Sequence, residues 1–147
     1  MNYEIVGRVV PSVEVSLSRG ESMFTQSGGM FYQTEGIKMD TNTRGGLLKG
    51  IGRMFAGESM FMATYTATQD AKIAFASTVP GSILPIDVSK GTFTIQKGAF
   101  LAAESSVELK TTFNKKLGTG FFGGEGFILQ ELRGRGTAFL EIDGDAI

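Results

Sequence analysis

The chain contains no cysteine, which excludes disulfides, thiolate nucleophiles and cysteine metal sites. It contains no histidine either, so the usual general base and the commonest transition-metal ligand are missing. Ser-His-Asp and Cys-His catalysis cannot be assembled within one chain, nor can an ordinary structural zinc site. Carboxylate-only Mg or Ca sites are all that remain. No charge of one sign dominates: 14 basic and 15 acidic residues leave a net charge of −1, with no overall pull toward nucleic acid or anionic lipid. No apolar run approaches the roughly 18 residues of a membrane-spanning helix. Met1-Asn2-Tyr3-Glu4-Ile5-Val6 has no basic segment ahead of an apolar one, unlike a secretory signal. These absences point to a cytoplasmic protein with no catalytic, cofactor-binding or metal-binding residue to assign.

What is present is glycine and repetition. The 147 residues suit a single domain, and 41% apolar content with 20% charge suits a folded one. Glycine occurs 21 times, about twice the usual share of roughly 7%. It clusters where turns between short strands would need it.

The second half of the chain rewrites the first. Gln26, Gly28, Met30, Phe31, Ile37, Met39 and Thr41 recur 70 residues later as Gln96, Gly98, Phe100, Leu101, Val107, Leu109 and Thr111. Phe55-Ala56-Gly57-Glu58 recurs 67 residues later as Phe122-Gly123-Gly124-Glu125. Blocks in the same order at nearly the same offset predict one β domain over 1–147 built of two repeats, about 1–78 and 79–147.

Alternation with period two dominates within each half. Val13, Val15 and Leu17 alternate with Glu14 and Ser16, and Ser22 to Gln26 follows an Arg19-Gly20-Glu21 turn. Phe61, Ala63 and Tyr65 share one face of a strand predicted over 58–68, with Lys72 to Ser77 as its hairpin partner. Phe127 to Leu132 and Thr137 to Ile142 read as a final hairpin joined at Arg133-Gly134-Arg135-Gly136. Short strands with regular Gly-rich turns predict an all-β sandwich or prism. One segment breaks the pattern. Leu47, Leu48, Ile51, Met54 and Phe55 fall on one stripe of a short helix, with Lys49 and Arg53 opposite. This stripe is the candidate interaction surface, for a protein partner or a membrane; the plainer account is a lid on one end of the β core.

Other motifs have structural explanations. Gly20-Glu21-Ser22-Met23-Phe24 repeats letter for letter as Gly57-Glu58-Ser59-Met60-Phe61, marking similar turn-to-strand entries. Gly118-Thr119-Gly120-Phe121-Phe122-Gly123 matches a dinucleotide fingerprint but lacks the strand before it and the helix after it. Arg133-Gly134-Arg135-Gly136 could touch RNA, but a two-glycine turn is the simpler reading. Glu58 and Glu125 repeat in register after glycines, where a carboxylate accepts backbone N–H bonds; acid/base chemistry is the alternative.

Gly45-Gly46-Leu47-Leu48-Lys49-Gly50, Gly57-Glu58-Ser59-Met60-Phe61, Pro80-Gly81-Ser82-Ile83-Leu84-Pro85, Gln96-Lys97-Gly98-Ala99-Phe100-Leu101-Ala102 and Phe122-Gly123-Gly124-Glu125-Gly126-Phe127 occur in that order. With these motifs the chain resembles the altered-inheritance-of-mitochondria (mitochondrial biogenesis) family over nearly its whole length. The resemblance implies a β-prism of repeats similar to the tryptophan RNA-binding attenuation protein, the TRAP-like fold. It implies no catalytic residues. Members of that family usually carry three repeats, against roughly two here, so a strand edge or apolar face is expected to lack its cover. The expectation is therefore a non-enzymatic scaffold or interaction protein that forms a homo-oligomer. Membrane association is a further option. Nucleic-acid binding, by fold analogy, is the alternative, and no small-molecule substrate is evident.

Overall fold

The computed structural model describes residues 1–7, 10–26, 30–41, 62–77, 81–114 and 127–142. The described chain is all-β. Its strands are β1 (Asn2–Val6), β2 (Ser12–Leu17), β3 (Ser22–Gln26), β4 (Met30–Gln33), β5 (Ile37–Thr41), β6 (Met62–Ala67) and β7 (Ala71–Ala76). They continue with β8 (Ser82–Asp87), β9 (Phe93–Gln96), β10 (Phe100–Glu104), β11 (Val107–Asn114), β12 (Phe127–Gly134) and β13 (Thr137–Ile142). Single 3-10 turns, Val88–Lys90 and Lys97–Ala99, flank β9. The short helix expected over 47–55 lies outside the described residues.

Among the described residues three antiparallel sheets result. The first has strand order β1-β2-β7-β4, the second β5-β6-β3-β10-β13-β8 and the third β11-β12-β9. The pairings fall into two matching sets. β7 joins β2 to β4, and β6 joins β5 to β3; six strands later, β13 joins β8 to β10, and β12 joins β11 to β9. The correspondence extends to irregularities. The β4–β7 register slips between Met30 and Tyr32, and the β10–β13 register slips between Phe100 and Ala102, 70 positions on. A bulge recurring at the same place in two pairings bends both strands alike.

Strand patterning explains the layers. In β2, Val13, Val15 and Leu17 are buried while Ser12, Glu14 and Ser16 are partly exposed, as expected for a sheet with one covered face. The middle sheet is different. Met23 belongs to one core and Phe24 to the other, and Ala102 and Ala103 divide in the same way. Consecutive residues point to opposite faces, so the central strands of this sheet are covered on both sides. This accounts for the unbroken apolar run Phe100-Leu101-Ala102-Ala103. One core gathers Val13, Val15, Ile73 and Phe75 of the first sheet around Met23, Tyr65 and Phe139. The other gathers Val107, Leu109 and Leu132 of the third sheet around Phe24, Phe100 and Leu140.

The two hairpins expected from sequence do not form. β6 and β7 are consecutive, yet β6 pairs with β3 and β5 while β7 pairs with β2 and β4. β12 and β13 likewise lie in different sheets. The turns at 68–70 and 135–136 are therefore corners that carry the chain from one sheet to another. Alternation specifies which face of a strand is apolar, but a corner and a hairpin can share the same pattern and the same glycines. At the second corner both glycines are required. Gly134 and Gly136 have φ of 108° and 124°, and a Cβ on Gly136 would lie 2.6 Å from Glu104 Oε2, the atom that accepts the Thr137 N–H at 2.6 Å.

Candidate interaction surface

The two matching strand sets meet at one seam, β3 against β10. Its register sets Ala102 opposite Thr25, Ala103 opposite Phe24 and Glu104 opposite Met23. The Thr25 hydroxyl donates to the Leu101 carbonyl across the seam. Ser22 Oγ and Ser105 Oγ lie 2.6 Å apart, and the Ser105 N–H donates to the Ser22 carbonyl at 3.0 Å. Apolar side chains cover both faces, and polar side chains close the ladder at its ends.

By strand correspondence, β4 is the counterpart of β10 and β9 the counterpart of β3. Among the described residues neither has the neighbour that its counterpart has: β4 ends the first sheet and β9 ends the third. Exposure differs as well, because Leu101 and Ala102 pack in the core shared with the first sheet, whereas Tyr32 lies in a row with Ala74 and Glu14 on the face of the first sheet where Glu14 is partly exposed. Leu101 is 2% exposed and Ala102 fully buried, whereas Phe31 is 66% and Tyr32 37% exposed. On the other edge Met23 is fully buried while Phe93 is 38% exposed. Edges that carry apolar and aromatic side chains and unpaired backbone groups are templates for another strand.

Among the described residues four other strands are also edges, and β1, β5 and β8 carry exposed apolar residues of their own, Tyr3, Met39 and Leu84. β8 carries Pro85, which has no N–H to donate. β5 and β11 are counterparts that are both edges, so neither lacks a neighbour that the other has.

Charge is arranged around the β4 edge without forming a reactive cluster. The Tyr32 hydroxyl donates to Glu14 Oε2, and Lys72 Nζ lies 3.5 Å from Glu14 Oε1. The Tyr32 bond, together with the nearby Lys72 charge, holds the Glu14 carboxyl below its ordinary value; the same bond raises the Tyr32 phenol. These contacts tie Tyr32 back onto β2 and orient its ring at the sheet edge. Close by, an open depression of about 450 Å³ is bordered by Met1, Leu17, Thr34, Asp70 and Lys72. Among the described residues no group of three or more Asp and Glu could hold a metal ion.

The sequence profile of the mitochondrial biogenesis family AIM24 matches residues 3–147. The chain belongs to this family. An uncharacterised protein of Streptococcus pyogenes serotype M6 is 36% identical to it over 135 residues, which make up 86% of this AIM24-family chain and 54% of the relative. The chain therefore spans about half the length of that relative. A Streptococcus pyogenes protein solved by X-ray crystallography superimposes on 98% of the chain with a TM-score of 0.77 at 32% identity, using 65% of the solved chain.

The interaction stripe expected from sequence, Leu47, Leu48, Lys49, Ile51, Arg53, Met54 and Phe55, lies outside the described residues, as do Glu58, Glu125 and the Gly118–Gly123 segment. Arg133 lies in β12, where its Nε pairs with Glu108 Oε2 at 2.9 Å, so the Arg-Gly-Arg-Gly motif combines a ladder position with a sheet-to-sheet corner. Among the described residues no helix is long and apolar enough to cross a membrane. Sequence reasoning missed Phe31, Tyr32 and Phe93. A signal was present: in the aligned repeats, Tyr32-Gln33 stands where the buried strand has Ala102-Ala103.

Proposed function

We propose that this AIM24-family chain is a non-enzymatic interaction scaffold. Two copies of one β unit form part of a prism, and its open sheet edges hold other protein chains. One observation carries the reading: Phe31 and Tyr32 are exposed on β4 where their counterparts Leu101 and Ala102 are buried in the core shared with the first sheet. Strand addition to such an edge supplies affinity through main-chain bonds and specificity through alternate side chains. Left to itself the chain self-associates into a small homo-oligomer in the cytoplasm. Membrane contact through the Leu47 to Phe55 stripe remains part of the proposal on the strength of its sequence pattern alone.

The test is sedimentation of the chain beside a Phe31→Lys, Phe93→Lys double variant, since charge on an edge blocks strand pairing. The wild type is expected to sediment as an oligomer and the variant as a folded monomer with an unchanged far-UV spectrum. A wild-type monomer at tens of micromolar would refute the self-association.

A further inference from the structure

We infer that the outward face of the first sheet, around Tyr32, binds a neutral oligosaccharide. The site is separate from the strand-edge role, because it lies on a sheet face and uses side chains rather than unpaired backbone. The registers place Glu4, Glu14, Ala74 and Tyr32 in one row across β1, β2, β7 and β4, and Asn2, Ser16 and Lys72 in the next. Thr34 ends that second row: its N–H donates to the Lys72 carbonyl at 2.9 Å, and its hydroxyl accepts the Lys72 N–H at 2.9 Å. Tyr32 stands on β4, yet its hydroxyl donates to Glu14 on β2, two strands away. Neighbouring strands are about 4.8 Å apart, so the side chain must lie across β7 rather than stand upright. It lies over Ala74, which is 1% exposed on a face where Ser12, Glu14 and Ser16 are partly exposed. One face of the ring is therefore seated on the sheet and the other is turned to solvent, the residue being 37% exposed. The Phe31 ring, 66% exposed, stands at 80° to it with the centroids 5.8 Å apart. Together they form an aromatic corner, with Tyr32 as its floor and Phe31 as its wall.

The surroundings select the ligand. The weakly positive C–H face of a pyranose packs on the negative face of an aromatic ring, and a ring already fixed by a hydrogen bond loses little freedom when it does so. Sugar hydroxyls need donors and acceptors at close intervals. Asn2, Ser16, Thr34, Asp70 and Lys72 supply both around the open depression of about 450 Å³ beside the ring, a size within the roughly 300–1,000 Å³ of small-molecule sites. Charge argues against nucleotides, the other common ligands that stack on rings. Lys72 is held 3.5 Å from Glu14, the Met1 amine is paired with Glu21, and Glu4 lies opposite Glu14. With Asp70 at the rim, negative charge is in excess on this face, which opposes any phosphate-bearing ligand.

The test titrates the isotope-labelled full chain with cellotetraose, chitotetraose and maltotetraose and follows the amide shifts. At least one of the three is expected to bind saturably in the millimolar range, with shifts centred on Phe31, Tyr32, Thr34 and Lys72. Saturation of the aromatic protons should transfer to the sugar's ring C–H protons, a reading that needs no variant. Tyr32→Leu keeps an apolar side chain but removes the ring, and should weaken binding about tenfold, the contribution of one stacked ring. Tyr32→Phe keeps the ring but loses its anchor to Glu14, and should weaken binding less. No saturable shift with any of the three sugars would overturn the inference. So would shifts centred elsewhere, an affinity unchanged in a folded Tyr32→Leu chain, or tighter binding of AMP at the same residues. A wild type that sediments as a monomer would refute the self-association and leave each of these outcomes unchanged.

Discussion

Phe31 and Leu101 occupy the same bulge of the same strand pairing, 70 positions apart, yet one is 66% exposed and the other 2%. The difference lies in the covering layer: Leu101 packs in the core with Val13, Val15, Ile73 and Phe75 of the first sheet, and Phe31, on β4 at the edge of that first sheet, has no such layer over it among the described residues. Leu101→Ala is accordingly expected to cost about 2–5 kcal/mol, as for a large buried side chain. Phe31→Ala should stay within about 0.5 kcal/mol in the dissociated chain. Urea denaturation at low protein concentration separates the two; equal losses would mean that Phe31 is packed in solution.

The corner at Gly136 should tolerate no side chain. Its φ of 124° is strained for any L residue, and the added Cβ would meet Glu104 and Ser106 side-chain oxygens at 2.6 and 2.8 Å. Gly20 has a φ of 91° but open space around it. Gly136→Ala is expected to destabilise by about 2–3 kcal/mol, from strain plus the displaced Glu104–Thr137 bond, and Gly20→Ala by about 1 kcal/mol from strain alone. Thermal melts of the two variants give the ranking, and a reversed order would contradict the corner geometry.

At the seam, the Thr25 hydroxyl is buried and donates to the Leu101 carbonyl. Thr25→Val keeps the shape and loses the donor, at an expected cost of about 1 kcal/mol. Thr25→Ser should recover part of the loss. A neutral Thr25→Val in chemical denaturation would mean that the hydrogen bond contributes nothing to joining the two halves.

Glu21 supplies a pH dependence. The Ser18 backbone N–H donates to its carboxylate at 2.8 Å, and the Met1 amino group lies 3.1 Å away. The Ser18 bond first, and the Met1 amine after it, hold the carboxyl below its ordinary value against an opposing effect of burial. A carboxyl lowered in the folded state stabilises fully above its unfolded pKa, and that contribution fades as pH falls through the folded value. The side chain is 35% exposed, so the effect should be under about 1 kcal/mol. Glu21→Gln should therefore lower the melting temperature at pH 6–7, by an amount that shrinks progressively as pH falls below the ordinary carboxylate range. A constant difference across that range would exclude an ionic origin.

Much of the fold was legible because period-two alternation reports directly on burial. Val13, Val15 and Leu17 lie on the apolar side of β2 as their spacing requires, and Ser22 to Gln26 and Thr137 to Ile142 are strands where expected. The partners of those strands were not legible. β7 follows β6 by a short turn that would suit a hairpin, and only the packing of one sheet over another sends it to β2 and β4. The exposure of β4 was hidden for a related reason. Met30-Phe31-Tyr32-Gln33 and Phe100-Leu101-Ala102-Ala103 both open as short apolar strands, and only Tyr32-Gln33 in place of Ala102-Ala103 hints that one of them is less covered.

The sequence alone excluded thiol, imidazole and ordinary zinc chemistry, since those depend only on which side chains exist. It also determined the all-β class, since alternation and glycine-rich turns are properties of neighbouring residues. Tertiary structure alone decided which strands share a sheet, which turns are corners and which edges stay open. Pairing joins residues far apart in the chain, and whether Phe31 meets water or another strand depends on a neighbour that its own segment does not encode.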